Sequence, residues 1–517
     1  MNAADQGPVI GFLSDPATYG VASVERIETH ASVVFLAGDR AYKLKRAVRF
    51  SYLDYSTLAL REQYCRAELA LNRRTAPSLY EAARPVTREA NGFAFGGPGA
   101  VVDWVVVMRR FDQDTLFDRL AERGALTEPL VLDLAAQIAQ FHAEAEVDAD
   151  SGGLAGMRET VKINADNLVA APADVFDAAD VARLTAATDV ALARVAETLE
   201  SRRRGGRVRW CHGDLHLRNI CLVDGRPTLF DCIEFSRLIA CIDVLYDLAF
   251  LLMDLHGRGL DEAGNAIFNR YLDLCDEGDG LPALPLLLSV RAAVRAHVTA
   301  AAARQQPPSG RRVELVGTAR RYLALAAALL HPAPPRLIAV GGLSGSGKSV
   351  LAYALAPGIG GVPGARVVRS DVVRKQMLEA GLTDRLPPSA YGRETTERVY
   401  RRMAEIAAAA LAAGHSVIVD AVHADPGERM AIASVARRSG VPFTGLWLDA
   451  PQTVLEARVT DRRDDASDAD AAVVRRQQRY DLGGVEWQRI DASGAAADVA
   501  KRARDLLAGG TGAQSTR

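Results

Sequence analysis

An apolar run, Arg336-Leu337-Ile338-Ala339-Val340, leads into Gly342-Leu343-Ser344-Gly345-Ser346-Gly347-Lys348-Ser349, and Val350-Leu351-Ala352-Tyr353-Ala354-Leu355 follows. No other stretch of the 517 residues restricts the fold as tightly. Glycines at this spacing let the backbone fold back, so that several N–H groups face one phosphate group. The lysine adds positive charge at the β/γ-phosphates, and the serine offers a hydroxyl to Mg²⁺. A strand before and a helix after are the required order, because the helix N-terminus completes the anion site. The bare pattern arises by chance in roughly 2% of chains this long, and this context lowers the figure. Residues 336 to about 508 are therefore expected to hold ATP or GTP phosphates through Gly342 to Ser349.

The same half alternates helix and strand. Glu394 to Ala413 reads as a helix stopped by Gly414. Ser416-Val417-Ile418-Val419 reads as a strand ending in Asp420, placed to reach a Mg²⁺ shell. Alternation of this kind predicts an α/β domain with a parallel sheet. Three features narrow it: Arg369-Ser370-Asp371-Val372-Val373-Arg374, Arg429 nine residues beyond Asp420, and Arg458 with Arg462 before a polar loop. With these residues the half resembles the small P-loop kinases that include gluconate kinase, the zeta-toxin group and the kinase half of polynucleotide kinases. The resemblance spans about 170 residues. It implies that Asp371 orients or deprotonates an acceptor hydroxyl and that Arg374 holds acceptor or phosphate. It also implies that Arg458 and Arg462 belong to a lid over the transferring group, where positive charge meets charge spread in the transition state. The plain alternative for each arginine is a surface ion pair.

The N-terminal half has a motif of its own, Cys211-His212-Gly213-Asp214-Leu215-His216-Leu217-Arg218-Asn219. An Asp and an Asn five apart match the kinase catalytic loop, where the Asp takes the substrate proton and the Asn holds metal. A hairpin turning at Asp224-Gly225 leads to Asp231, followed by Cys-Ile-Glu rather than Phe-Gly. Upstream, Ser32 to Lys45 reads as a hairpin that puts Lys43 and Lys45 on one face. Either lysine could contact phosphate. Of Glu62 and Glu68 on the next helix, Glu68 is the better partner by spacing. Residues 20 to about 330 thus resemble the aminoglycoside phosphotransferase family, with its choline and homoserine kinase relatives. The resemblance implies a two-lobed, protein-kinase-like α+β domain with a hinge near Val107-Met108-Arg109. It implies Lys43 on phosphate with Glu68 as its partner, Asp214 as base, Asn219 and Asp231 on Mg²⁺, and Asp243 and Asp247 supporting the loop. His212 and His216 read as loop-stabilising. Leu126 to Glu146 fits a helix with Val131, Leu134, Ala135, Ile138 and Phe141 on one face. The segment Glu28 to Ser32, where a nucleotide-covering loop is expected, contains no glycine.

Composition sets the remaining bounds. A formal net charge of -2 argues against nucleic acid or anionic membrane as a bulk partner. Six cysteines without a Cys-x-x-Cys pair point to buried thiols rather than zinc or disulfides. No basic segment precedes an apolar run at the N-terminus, and no stretch approaches the roughly 20 apolar residues of a span. A cytoplasmic protein is expected. Pro-rich breaks at 305–310 and 332–335 flank a helical segment, Val313 to Leu330. The expected organisation is a phosphotransferase-like domain over 1–331, a linker over 332–335, a P-loop domain over 336–508 and a disordered tail over 509–517. The expected activity is bifunctional: each half transfers the ATP γ-phosphoryl group, with Mg²⁺, to a hydroxyl of a small molecule. Two alternatives stay open. One half could serve only as a nucleotide-binding regulatory module, or the C-terminal half could act on a polynucleotide or sugar nucleotide.

Overall fold

The computed structural model describes residues 5–50, 53–461 and 466–509. Arg462 and the tail beyond residue 509 lie outside the described residues. Two compact units form. One draws on Met1–Ala170 and Leu192–Asp254, the other on Ala171–Ala191 and Leu255–Arg517.

The first unit is built on a six-stranded antiparallel sheet. Its strands are β1 (Val24–Glu28), β2 (Ser32–Ala37), β3 (Arg40–Lys45), β4 (Tyr80–Glu89), β5 (Gly92–Phe95) and β6 (Ala100–Arg109), in the order β1-β2-β3-β6-β4-β5. Val33, Phe35, Leu44, Val105 and Val107 form one core face, as period-two alternation requires. Helix α1 (Leu58–Asn72) starts at Thr57, whose hydroxyl accepts the Leu60 N–H. Its buried face reads Arg61, Cys65, Glu68 and Asn72 at helical spacing, so three of the four are polar and each needs a partner. Arg61 finds Asp103 at 2.7 Å. Helix α2 (Glu128–Glu144) buries the five apolar residues expected of it. The hairpin of β7 (Ile220–Val223) and β8 (Arg226–Leu229) turns at Asp224-Gly225, and α3 (Val244–Gly257) carries Asp247.

The second unit holds α4 (Asp261–Leu274), α5 (Leu284–Arg304) and α6 (Gly310–Leu329), then the alternating part. One expectation needs correcting here. Gly278–Arg304, 27 residues, does have the length and apolarity of a span. Alanine and leucine crowd this helix because it is a core element: 67% of its most apolar window is buried. Ser289 Oγ donates to Ala326 O of α6 at 2.8 Å.

The alternating part runs β9 (Leu337–Gly341), α7 (Lys348–Leu355), β10 (Arg366–Arg369), α8 (Ser370–Met377), α9 (Arg393–Ala412), β11 (Val417–Asp420), α10 (Pro426–Ser439), β12 (Phe443–Asp449), α11 (Gln452–Asp461), α12 (Ala471–Gln477), β13 (Gln488–Asp491) and α13 (Ala496–Gly509). All five strands are parallel, in the order β10-β11-β9-β12-β13. Leu337 to Val340 are fully buried, which is why this strand is a continuous apolar run. The chain crosses from one side of β9 to the other after β11, so the crevice at the carboxyl end of β9 is the switch point of the sheet.

Residues 332–336 have no regular structure, and they lie within the second compact unit. The reason is the outer edge of β10, which α4 covers. Asn269 Oδ1 accepts the Val367 N–H at 2.7 Å, and its Nδ2 donates to Ala365 O. Asn265 Nδ2 reaches Pro363 O and Ala365 O, and Asp273 pairs with Arg366 at 2.6 Å. A sheet edge is thereby closed by side chains of a helix. Asn269→Ala would leave the Val367 N–H unsatisfied, at a cost of about 1–3 kcal/mol. Thermal unfolding of the full chain should show the transition lowered by several degrees; an unchanged transition would count against the edge-capping role.

Candidate active sites

The phosphate loop starts where β9 ends. Gly345 and Gly347 both have positive φ, at 83° and 91°. A Cβ on Gly345 would strike the Leu455 carbonyl, whereas one on Gly347 would meet no protein atom and would stand at the cavity wall. The turn therefore excludes side chains at one position for packing and at the other for backbone conformation and access. Lys348 Nζ donates to Leu343 O at 2.9 Å. Ser349 Oγ donates to Asp420 Oδ2 at 2.5 Å, joining the first turn of α7 to the end of β11. The Ser346 hydroxyl, buried in the loop, has no partner among the described residues.

Gly345, Gly347, Lys348, Ser349 and Asp420 line one cavity of ≈ 1010 Å³. Asp371, half-buried at the start of α8, faces it with Arg374, Asp420 and Lys348. Burial pushes the Asp371 carboxyl above the ordinary aspartate range, against the pull of Arg369 and the Ser467 hydroxyl. Ser349 and Asp420 supply hard oxygen donors that suit Mg²⁺. The loop amides fit a phosphate group.

Two expected lid arginines fare differently from each other. Arg458 lines the cavity, but its guanidinium donates to Ala492 O at 2.8 Å and Gly494 O at 3.0 Å. Arg462 lies outside the described residues. Arg429 clamps backbone instead, donating to His423 O, Ala424 O and Leu482 O. Several residues here went unread in the sequence: Gln477, whose Oε1 accepts the Ser344 N–H at 2.8 Å, and Tyr391, Tyr400 and Glu428 on the cavity wall. They sit on helices and loops whose local pattern is ordinary amphipathic spacing, so no sequence signal marked them. Asp468 did stand in the polar loop; it accepts from Tyr391 Oη at 2.6 Å and from the Leu386 N–H.

In the first unit Lys43 and Lys45 share Glu68. Lys43 Nζ lies 2.9 Å from Glu68 Oε1 and 2.5 Å from Asp231 Oδ1. Lys45 Nζ lies 2.6 Å from Glu68 Oε2 and also pairs with Glu234. Burial alone would raise the Glu68 carboxyl, but the two ammonium groups outweigh it and hold the carboxyl at about 2. Lys43 reaches Asp231 while Lys45 is fully buried, so Lys43 is the lysine presented to the site and Lys45 braces Glu68. Glu62 makes only an exposed pair with Arg66.

Asn219 Nδ2 donates to Asp214 Oδ2 and to Asp214 O, both at 2.9 Å, leaving its own Oδ1 for a cation. Asp247 accepts the His212 and Gly213 amides at 3.0 and 2.9 Å, and Asp243 is bidentate to Arg202. His212 Nε2 contacts Phe230 O and its Nδ1 accepts from the Asp214 N–H, which a neutral ring protonated on Nε2 satisfies. His216 Nε2 stands 3.4 Å from Asp214 Oδ2. The catalytic-loop motif is thus held by backbone-directed bonds on both sides.

Comparison with known proteins places a family match over each site. A model of the "Phosphotransferase enzyme family" matches residues 32–286, and one described as "AAA domain" matches residues 337–481. The uncharacterized protein Rv2004c of Mycobacterium tuberculosis is 31% identical over 487 residues, covering 90% of this chain and 92% of its own. A Mycobacterium bovis relative, Mb2027c, matches to the same extent. An adenylyl-sulfate kinase of Myxococcus xanthus is 32% identical over 117 residues, 23% of this chain and 59% of that protein. The chain belongs to the family of these mycobacterial proteins, and within it a phosphotransferase-family match is followed by a P-loop kinase-type one. Kinase families of this type use ATP with a divalent metal. Among solved structures, the amicoumacin kinase hAmiN with AMP-PNP, Ca²⁺ and Ami is similar at 12% identity and TM-score 0.39, over 62% of this chain and 93% of that one. A gluconokinase from Sinorhizobium meliloti is similar at 20% identity and TM-score 0.27, over 35% and 98%.

Gly345→Ala is expected to weaken binding of a fluorescent ATP analogue by at least about 10-fold, because the new methyl meets a fixed carbonyl. Equilibrium titration of the full chain checks this.

Proposed function

We propose that the protein is a bifunctional ATP-dependent phosphotransferase, each unit passing the γ-phosphoryl group to a hydroxyl of a small molecule. The observation that carries this reading is the convergence of Lys348, Ser349, Asp420 and Asp371 on one cavity. In the P-loop unit, the acceptor oxygen forms the new bond to the γ-phosphorus as the bond to the β,γ-bridging oxygen breaks. ADP leaves with that oxygen, and the hydroxyl proton passes to the Asp371 carboxylate. Lys348 and the loop amides orient the phosphates and offset their charge. When bound at Ser349 and Asp420, a divalent ion supplies further neutralisation of the phosphates. In the phosphotransferase unit, Asp214 takes the proton, Lys43 faces the phosphates, and Asn219 and Asp231 offer oxygens to a metal ion. The partial match to an adenylyl-sulfate kinase supports the kinase reading of the P-loop unit.

Transfer of labelled phosphate to a pooled set of hydroxylated metabolites tests both halves at once. Asp214→Ala should abolish one set of products and Lys348→Ala the other, each by about 10²-fold or more. A single product set that survives one of the two substitutions would reduce that unit to a nucleotide-binding module. The acid limb gives a second check. Below its pKa Asp371 is protonated and cannot accept the hydroxyl proton. Because burial raises that pKa, kcat of the P-loop activity should begin to fall at a higher pH than an ordinary aspartate dictates. A limb at or below the ordinary aspartate value would remove Asp371 from the role of base.

A further inference from the structure

Five charged side chains of the first unit alternate in sign: Asp231, Lys43, Glu68, Lys45 and Glu234, each pairing with the next. Asp231 and Glu234 are three residues apart, so the series closes into a ring through the backbone. Its two ends differ. The Asp231 side chain is 43% exposed and that of Glu234 only 4%. Asp231 is therefore the open end of the ring and Glu234 its anchored end.

A carboxylate that deep needs both a charge partner and hydrogen bonds. Lys45 supplies the first, and Tyr55 Oη donates to Glu234 Oε1 at 2.5 Å. Tyr55 is itself buried, and its ring centroid lies 4.8 Å from the Lys45 ammonium. The backbone of the same segment is held as well. The Asp231 N–H donates to Tyr80 Oη at 3.1 Å, the Cys232 N–H to Asn72 Oδ1 at 2.8 Å and the Ile233 N–H to His212 O at 2.9 Å. Asn72 lies one turn after Glu68 on α1, and His212 belongs to the catalytic-loop motif. Asp231 has φ of 63°, a left-handed conformation that a residue other than glycine keeps only where its surroundings impose it.

We propose that Glu234 is a positioning residue of the phosphotransferase site: by holding Lys45 and Tyr55 it fixes the turn at Asp231, so that this carboxylate keeps its place for a divalent ion when Lys43 leaves it for nucleotide phosphate. This rests on the phosphotransferase reading of the first unit. Lys43 cannot neutralise Asp231 and a phosphate group in full at once. On binding, Lys43 exchanges Asp231 for phosphate, and Asp231 exchanges Lys43 for the ion. Glu68 keeps a cation throughout because Lys45 stays, and Lys45 stays because Glu234 holds its other side. Glu234 touches neither nucleotide nor ion, and acts through Lys45 and the turn.

The test is calorimetric binding of a non-hydrolysable ATP analogue to the full chain, with Mg²⁺ and with EDTA. Lys348→Ala is the parent, so that the first site reports alone. The quantity read is the factor by which Mg²⁺ tightens binding. Glu234→Ala should cut that factor by about 10-fold, the size expected for a residue that orients a metal ligand, while binding in EDTA stays the same. Glu234→Gln, which keeps an oxygen for Tyr55 and Lys45, should recover part of it. Tyr55→Phe removes one donor and no charge, and should cut the factor by about threefold. With Asp231→Ala already present, Glu234→Ala should have no further effect, because both act on one ligand. A factor indifferent to both Glu234→Ala and Tyr55→Phe, or losses that add to that of Asp231→Ala, would overturn the proposal. If Glu234→Ala fails to bind even in EDTA, Tyr55→Phe decides: a lower factor with EDTA binding intact supports the role, and equal loss in both conditions refutes it. The two readings fail separately. A parent without Mg²⁺-dependent binding sinks the phosphotransferase reading and the proposal with it, whereas Mg²⁺-dependent binding that ignores Glu234 sinks the positioning alone.

Discussion

The second unit depends on the complete burial of β9 between β11 and β12. A parallel strand covered on both faces must be apolar throughout its length, so polar chemistry can begin only where the strand ends. At that end the chain reverses through glycines and enters α7, whose N-terminal amides cannot be satisfied within the helix. The adjoining strands end at the same level. That places Asp420 against Ser349 and starts α8 with Asp371 beside them. The site is a consequence of where apolar burial stops.

The first unit solves a related problem with charge. Glu68 is buried, and a carboxylate there is stable only because Lys43 and Lys45 both reach it. The two lysines project to one face of β3 because strand periodicity is two, and the second is fully buried between Glu68 and Glu234. It fixes the glutamate that fixes the first. Asp247 plays a comparable part for the catalytic loop, taking two backbone amides so that Asp214 and Asn219 keep their mutual geometry.

Much of this was legible in the residues. The phosphate loop, the helix over Glu394 to Ala413, the Asp214 and Asn219 spacing and the choice of Glu68 over Glu62 all follow from local pattern. Local pattern failed where a residue's meaning depends on a distant neighbour. The resemblance puts Arg458 in a lid, with a surface ion pair as the alternative, yet its guanidinium donates to the Ala492 and Gly494 carbonyls. No stretch of the sequence was expected to approach the length of a span, yet Gly278–Arg304 is long and apolar enough for one, because core burial and a bilayer ask for the same composition.

The sequence by itself determined the two motifs, their elements and the class of chemistry, because glycine conformation, strand and helix periodicity and capping act over a few residues. Only the tertiary structure decided which lysine reaches Asp231 and which is buried against Glu234, and that Asn265 and Asn269 close the edge of β10. Those are facts about burial and about partners scores of residues apart, and a polar side chain acquires its role only when folding removes water from around it.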